Sequence, residues 1–208
     1  MPYDQPNPDA LELAVRGDLL AAVRHGVDRR IERRYLRGVY VEPLETGGAI
    51  LVATNGHILL AGHDPDGFAS RGAIIETALT DTQLLKWGGG AKTGARLSQH
   101  NLTEICRDYT FPNWRRVIPM VTGKAFETEG QCWHGEYLKR FVTAATRMGG
   151  NGGMSFVQTD ARSPALVRFS GLPELFGVIM PMVRGAFSGS DSLVPEWMGE
   201  SHRPDAGK

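Results

Sequence analysis

The run Ala49–Thr54, the dipeptide Asn55-Gly56 and the run His57–Gly62 leave this chain little conformational freedom in its first third. Two apolar stretches flanking an Asn-Gly pair are a strong hairpin signal, because such a pair accepts the positive φ that a tight hairpin turn demands. Gly47-Gly48 turns the chain into this hairpin. Before it, Tyr35–Glu42 reads as another strand with Leu36 or Val39 and Val41 inward. Further upstream, residues 10–16 alternate apolar and polar as a strand does. Gly17-Asp18 then opens a short helix with Leu19, Leu20, Val23 and Val27 on one face. The unit is strand, helix and three strands.

The same order recurs twice. Ala73–Ala78 is strand-like, Thr80 or Asp81 caps a short helix through Leu84 and Leu85, and Gly88-Gly89-Gly90 stops it. Ala95–Gln99 and Leu102–Cys106 read as a hairpin, and Tyr109–Phe111 as the start of a further strand. In the third copy Ala125–Trp133 is extended, and Gly135–Met148 is a helix with Tyr137, Leu138, Phe141, Val142 and Ala145 in one stripe. Gly149–Gly153 breaks it, and Met154–Thr159, Ala165–Ser170 and Leu175–Met182 supply three strands. Three βαβββ units of roughly fifty residues make a repeat architecture of the α+β class rather than a doubly wound sheet. The pattern divides the chain into a Pro-rich flexible N-terminus (1–9), a domain of two units (10–122), a half-domain of one unit (123–184) and a flexible C-terminal tail (185–208). Ser192–Trp197 inside that tail is apolar enough to dock somewhere.

Composition narrows the function classes. Hydrophobic content of 41% and charged content of 22% over 208 residues are those of a soluble globular protein. No apolar run approaches the ~18 residues that span a bilayer, and the N-terminus lacks the regions of a signal peptide, so a cytoplasmic protein is expected. Gly88–Gly94 looks like a phosphate loop only superficially. Ala91 stands where the motif needs glycine before Lys92, and the stretch follows a helix rather than a strand. The six histidines form no metal-binding pair with nearby cysteines or carboxylates, and no nucleophile elbow occurs. Cys106 and Cys132 lack metal-like spacing and read as small buried hydrophobes. No metal, no cofactor and no enzyme activity are expected.

Net charge is zero, yet residues 16–37 hold seven arginines against three acids. Such a belt suits a solvated face, and it also suits a phosphate backbone. Arg24, Arg29, Arg30 and Arg33 lie on or just after the first helix, Lys86 on the second, and Lys139, Arg140 and Arg147 mostly opposite the apolar stripe of the third. If the helices share one side of a curved sheet, these residues line it and bind double-stranded DNA through phosphates, independent of sequence.

Three separated stretches resemble the bacterial sliding clamp, the β subunit of DNA polymerase III. They are Arg34–Val39 with Ala53–Leu59, then Phe111-Pro112-Asn113-Trp114-Arg115-Arg116-Val117-Ile118-Pro119, and Val178-Ile179-Met180-Pro181-Met182. They stand in the family's order, each at the corresponding place of a unit. The resemblance implies a DNA-clamp-like fold, a role as a DNA replication processivity factor, and a hydrophobic cleft. Polymerase, clamp-loader-type and repair proteins would insert short "QLxLF" peptides into that cleft. Carried over by motif position, its residues are Thr54, Gly56, His57, Leu59, Pro112, Arg116, Val117, Val178, Met180, Pro181 and Met182. Adaptable methionine and aliphatic side chains suit such a groove. Family chains carry six units and close a twelve-unit ring as dimers. A chain of three units implies a homo-oligomer, by counting a tetrameric ring, and fits a phage or other mobile element. Ile58 and Asn55 replace the family's arginine and aspartate, which implies a less charged pocket rim. The other reading is an interaction module that binds clamp-binding peptides or a host clamp without encircling DNA.

Overall fold

A computed structural model describes residues 10–28, 30–87, 96–120, 132–160 and 162–182. In chain order the elements are β1 (Leu13–Val15), α1 (Gly17–Val23), β2 (Val39–Pro43), β3 (Ala49–Thr54), β4 (Ile58–Asp64), β5 (Phe68–Ala69), β6 (Ala73–Glu76), α2 (Asp81–Lys86), β7 (Leu97–Ser98), β8 (Thr103–Ile105), α3 (Gly135–Arg147), β9 (Met154–Val157), β10 (Ala165–Phe169) and β11 (Leu175–Ile179). The class is α+β, as the alternating runs and helix caps indicate. Eight strands form one antiparallel sheet in the order β8-β6-β2-β3-β4-β11-β10-β9, and β5-β1-β7 form a second, small sheet.

The large sheet is apolar on both faces, and the two sets of side chains obey the period of two that a pleated strand imposes. Val39 and Val41, Ala49, Leu51 and Ala53, Ile58 and Leu60, Ala165 and Val167, and Leu175 and Ile179 join one core with α1, α3 and the small sheet. Val52, Leu59, Ala61, Ile74 and Val178 face the other way, into a second cluster with Leu36, Phe111 and Trp114. Among the described residues the first face is roofed by helices and the second by irregular chain with short 3-10 turns. We call them the helix face and the loop face.

On the helix face α1 is wholly buried and packs on both α2 and α3. Gly17 and Gly62 permit the close approach: a Cβ at Gly17 would strike the Leu84 carbonyl of α2, and one at Gly62 would strike Leu19. Phe141 of α3 is fully buried, edge-on to Phe169 at 6.0 Å. A Cβ at Gly177 would come within 2.9 Å of its ring. Thr80 and Gln83 form a reciprocal capping box that starts α2, with N–H···O distances of 3.3 and 2.8 Å. Buried Asp64 accepts from the Arg16 backbone N–H (2.9 Å) and from Arg96 (2.5 Å), fastening the small sheet's approach to β4.

Several local expectations differ from the structure: Val27 lies beyond α1 in extended backbone, and Cys106 and Cys132 are half-buried rather than buried. Arg34–Leu36 is a 3-10 turn that drops Leu36 into the loop-face cluster, so β2 begins only at Val39. Leu97–Ser98 and Thr103–Ile105 do not pair as a hairpin. A 3-10 turn separates them, and they enter different sheets, one beside β1 and the other beside β6. Tyr109–Phe111 forms no strand; Phe111 is buried by stacking on Tyr40, centroids 4.8 Å apart. Val142 is 39% exposed, and Ala144 takes its place in the buried stripe of α3. The glycine stretch 88–94, the extended run before Cys132 and the tail lie outside the described residues. No helix among the described residues is long and apolar enough to cross a membrane.

Candidate functional site

The β3–β4 turn is built by its own side chains. Asn55 Oδ1 accepts from the backbone N–H groups of His57 and Ile58, both at 3.0 Å. Thr54 Oγ1 donates to the Ile58 carbonyl (2.7 Å) and accepts from Gly56 N–H (3.1 Å), while Gly56 takes φ +90°. The short polar side chains replace backbone partners, so the turn is held without outside help. His57 is exposed at its tip and stacks on Tyr137 of α3, centroids 5.8 Å apart. Ile58 points into the helix-face core and is 2% exposed. The expectation that it alters the rim of a peptide pocket is therefore corrected: alternation sends it to the opposite face from Leu59.

Beside the turn, β4 pairs with β11, setting Leu59 opposite Val178 and Ile58 opposite Ile179. The ladder continues past the strand, with the Met180 N–H donating to the His57 carbonyl at 3.0 Å. Leu59 and Val178 form part of the apolar floor of the loop face, with Phe111, Trp114 and, at its margin, Ile118 and Phe176. The segment that crosses this floor is pinned at Trp114. Its Nε1–H donates to Glu42 of β2 at 2.8 Å, Arg115 donates to the same carboxylate at 2.8 Å, and the guanidinium lies 4.3 Å from the indole centroid. Pro112, Arg116 and Val117 stand exposed on the segment, Val117 at 47%. Met180, next after Val178 in the alternation, is 41% exposed. Pro181 is half-buried, and Met182 donates its N–H to the Cys132 carbonyl at 3.0 Å.

Of the eleven residues expected at a cleft, Leu59, Val178, Met180, Pro112, Arg116 and Val117 thus gather on or around one patch. Thr54 and Gly56 serve the neighbouring turn, and His57 leans toward α3. Sequence reasoning passed over Phe111, Trp114, Ile118 and Phe176 as its floor. The signal was present: Phe176 shares the alternation of Val178, and an indole between two charged or polar neighbours needs a partner for its N–H.

The helix face carries a charge cluster. Asp81, the first residue of α2, meets Arg24 and His25 from the end of α1 and Arg147 from the end of α3. His25 Nε2 lies 3.3 Å and Arg147 Nε 2.8 Å from its carboxylate. Burial alone would raise the Asp81 pKa, but Arg24 and His25, then Arg147, outweigh it and hold the carboxyl below its usual range. His25 is lowered, because burial disfavours its cation more than Asp81 favours it. Arg140 donates to the Val27 carbonyl at 3.0 Å and lies 3.6 Å from Glu136. Arg24, Arg140 and Arg147 therefore tie helices together as well as facing solvent. Lys86 and Lys139 are exposed.

Between α1 and α3 runs a groove of about 340 Å³, lined by Arg24, His25, Lys139, Arg140 and Thr143 with Glu136. Arg33 does not join this lining. It sits between Ile31 and Tyr35, both packed on the loop-face cluster, and Arg30 stands where the chain crosses from one face to the other. Arg29 lies outside the described residues. No group of three His, Cys, Asp or Glu side chains able to hold a metal occurs among the described residues.

No protein-family model matches this sequence, and no curated protein does. Solved structures do. A DnaN sliding clamp (DNA polymerase III subunit beta) from Bartonella birtlesii, bound to griselimycin, superposes with a TM-score of 0.56 at 16% identity, over 88% of this chain and 69% of that one. The DNA polymerase III subunit beta from Pseudomonas aeruginosa gives 0.55 at 17% identity with the same coverage. The sliding clamp from Caulobacter crescentus gives 0.56 at 18% identity, over 88% and 68%. The chain has the fold of a DNA polymerase III β sliding clamp and spans about two thirds of the length of those chains.

Proposed function

We propose that this chain is a compact, non-enzymatic, sliding-clamp-like processivity factor for DNA replication. Its helix face encircles or cradles duplex DNA, and its loop face tethers polymerase, clamp-loader-type or other partners by short peptides. The observation that carries this reading is the division of labour across one sheet of clamp fold. A cation-lined groove beside helices stands on one side; a partly exposed apolar patch, rimmed by arginines and adjoining the β3–β4 turn, stands on the other. On the DNA side the groove between α1 and α3 offers Arg24, Lys139 and Arg140, and Lys86 stands free on α2. On the peptide side Val117 and Met180 supply apolar surface above the Leu59–Val178 floor, with Arg116 at its rim. Flexible thioether and aliphatic groups bind unlike peptides by repacking.

From the sequence pattern we count three units of βαβββ type, two in 10–122 and one in 123–184, which leaves an odd half-domain. In the described residues β8 and β9 form the open edges of the large sheet. Strand edges are templates for pairing, which supports a homo-oligomer and, by unit count, a ring of four chains. The test is retention on nicked circular DNA followed by linearisation. A ring stays on the circle and runs off the linear form. Release from both forms with peptide binding intact would leave the interaction-module reading instead. Reversing Lys86 and Lys139 to glutamate should weaken retention and spare peptide binding. These exposed lysines are better probes than Arg140 or Arg147, whose partners are structural.

A further inference from the structure

One stretch near the C-terminal end of the sequence has the chemistry of a ligand for the loop-face patch. Residues 186–201, Ala-Phe-Ser-Gly-Ser-Asp-Ser-Leu-Val-Pro-Glu-Trp-Met-Gly-Glu-Ser, contain Asp191, Glu196 and Glu200 and no lysine or arginine. Among these acids stand Leu193, Val194, Trp197 and Met198. Pro195 biases Val194 toward extended backbone, the form in which a peptide lies along a groove.

The loop face is the complement. Val117 (47% exposed), Met120 (84%) and Met180 (41%) present apolar surface beside the buried Trp114 and Val178. Arg33, Arg34 and Arg116 stand exposed around it: the first two flank the turn that sends Tyr35 and Leu36 into the cluster, and the third follows Trp114 on the covering segment. Such a surface favours an apolar ligand bearing negative charge over a neutral or basic one.

Geometry puts the tail within reach. The chain leaves β11 at this patch, since Val178 lies opposite Leu59 and Met180 N–H is bonded to the His57 carbonyl. From Met182 to Leu193 the chain can span up to roughly 36 Å at ~3.3 Å per residue. That exceeds the width of the few strands separating β11 from the Arg33–Leu36 turn, at ~4.8 Å per strand. A tethered segment also competes at the high effective concentration that a short linker confers.

We infer that Asp191–Met198 of the chain's own tail docks on the loop face, with Leu193 and Trp197 on the apolar patch, and must be displaced by any partner peptide. The displacement part of this inference rests on the reading of that patch as the partner groove. The tail acts as a built-in competitor, so apparent partner affinity falls by the fraction of time the groove is self-occupied.

The test uses the full chain and the full chain carrying Leu193→Asp with Trp197→Asp. A fluorescein-labelled QLDLF peptide is the probe for the groove. The double variant should bind it about tenfold more tightly than the unaltered chain, and an unlabelled peptide of residues 186–201 should compete the probe off. Equal affinities for the two chains overturn the competition. In parallel, benzoyl-phenylalanine in place of Trp197 is photocrosslinked in the full chain and the adducts mapped. Adducts at 112–120 and 178–182 support docking; adducts spread elsewhere, or none, overturn it. If neither chain binds the QLDLF probe, the partner-groove reading fails, and the crosslinks still decide where the tail sits.

Discussion

The helix face and the loop face of the large sheet begin from the same strands and end as different kinds of surface. On the helix face α1, α3 and the small sheet close over alternate residues, and Phe141, Leu19, Leu60 and Ile179 are shut away almost completely. On the loop face the opposite residues are covered by two irregular segments, 31–36 and 105–118, anchored at a few points such as Trp114 on Glu42. Secondary structure satisfies its own backbone and so can roof a core without gaps. An irregular segment must leave backbone and side chains in contact with water. Stability therefore resides mainly on one side of the sheet, and adaptable apolar surface on the other.

Substitutions on the two faces should separate in size and kind. The largest effect is expected from Phe141→Ala, which empties the tightest part of the helix face. Unfolding in urea should show a loss of about 3–5 kcal/mol, and a smaller loss than on truncating Trp114 would reverse the assignment of the two faces. Asp81→Asn comes next. It leaves Arg24 and Arg147 without their shared counter-charge, and a loss of about 1–2 kcal/mol is expected for this partly solvated cluster. The same change removes an acid from the face proposed to meet DNA and, on that proposal, should tighten retention on nicked circular DNA while stability falls.

A smaller effect concerns pH. The folded-state pKa of His25 is depressed, so the unfolded chain binds the proton more readily. Stability is whole above the ordinary histidine value of about 6.5 and declines as pH falls below it, with a slope from this residue under ~1.4 kcal/mol per pH unit. Asp81 adds its own loss further into acid, as its depressed carboxyl is protonated. In His25→Gln the step below neutrality should vanish from thermal melts taken across pH 5–8, while the acid limb persists. The smallest effect on stability belongs to Val117→Ala with Met180→Ala, within about 0.5 kcal/mol for exposed side chains. Their effect on QLDLF peptide affinity, near tenfold, should far exceed it. A stability loss as large as that of Asp81→Asn would show that the patch is core rather than binding surface.

Sequence reading succeeded where a local rule was sufficient. Ala49–Thr54, the Asn55-Gly56 turn, the Thr80 cap and the span of α3 follow from periodicity and capping, which need only near neighbours in the chain. It failed where partners were distant. Leu97–Ser98 and Thr103–Ile105 look like a hairpin locally, but β1 and β6 claim them separately, and no short-range pattern encodes that choice. Leu36 and Phe111 carry strand-like side chains yet are buried from turns, because the loop face needed covering. At the candidate site the resemblance to the clamp motifs put Leu59 and Val178 together, and the structure pairs them across β4 and β11. The lean of His57 toward Tyr137 was not legible, since it depends on where α3 begins in space. Nor was the pairing of Arg24 and Arg147 through Asp81, which joins residues more than a hundred positions apart.

The β4–β11 seam has a consequence in time as well as in space. Ile58 and Ile179 are neighbours across this ladder, yet the chain between them includes every element from β5 to β10. Joining ends so far apart carries a loop-closure entropy that local hairpins such as β3–β4 avoid, so the seam forms late in folding. Until it does, Gly177 is not beneath Phe141 and Val178 is not beside Leu59. The helix core and the apolar floor of the loop face are therefore completed in one event, and a chain that has not finished folding lacks the patch proposed to take a partner peptide.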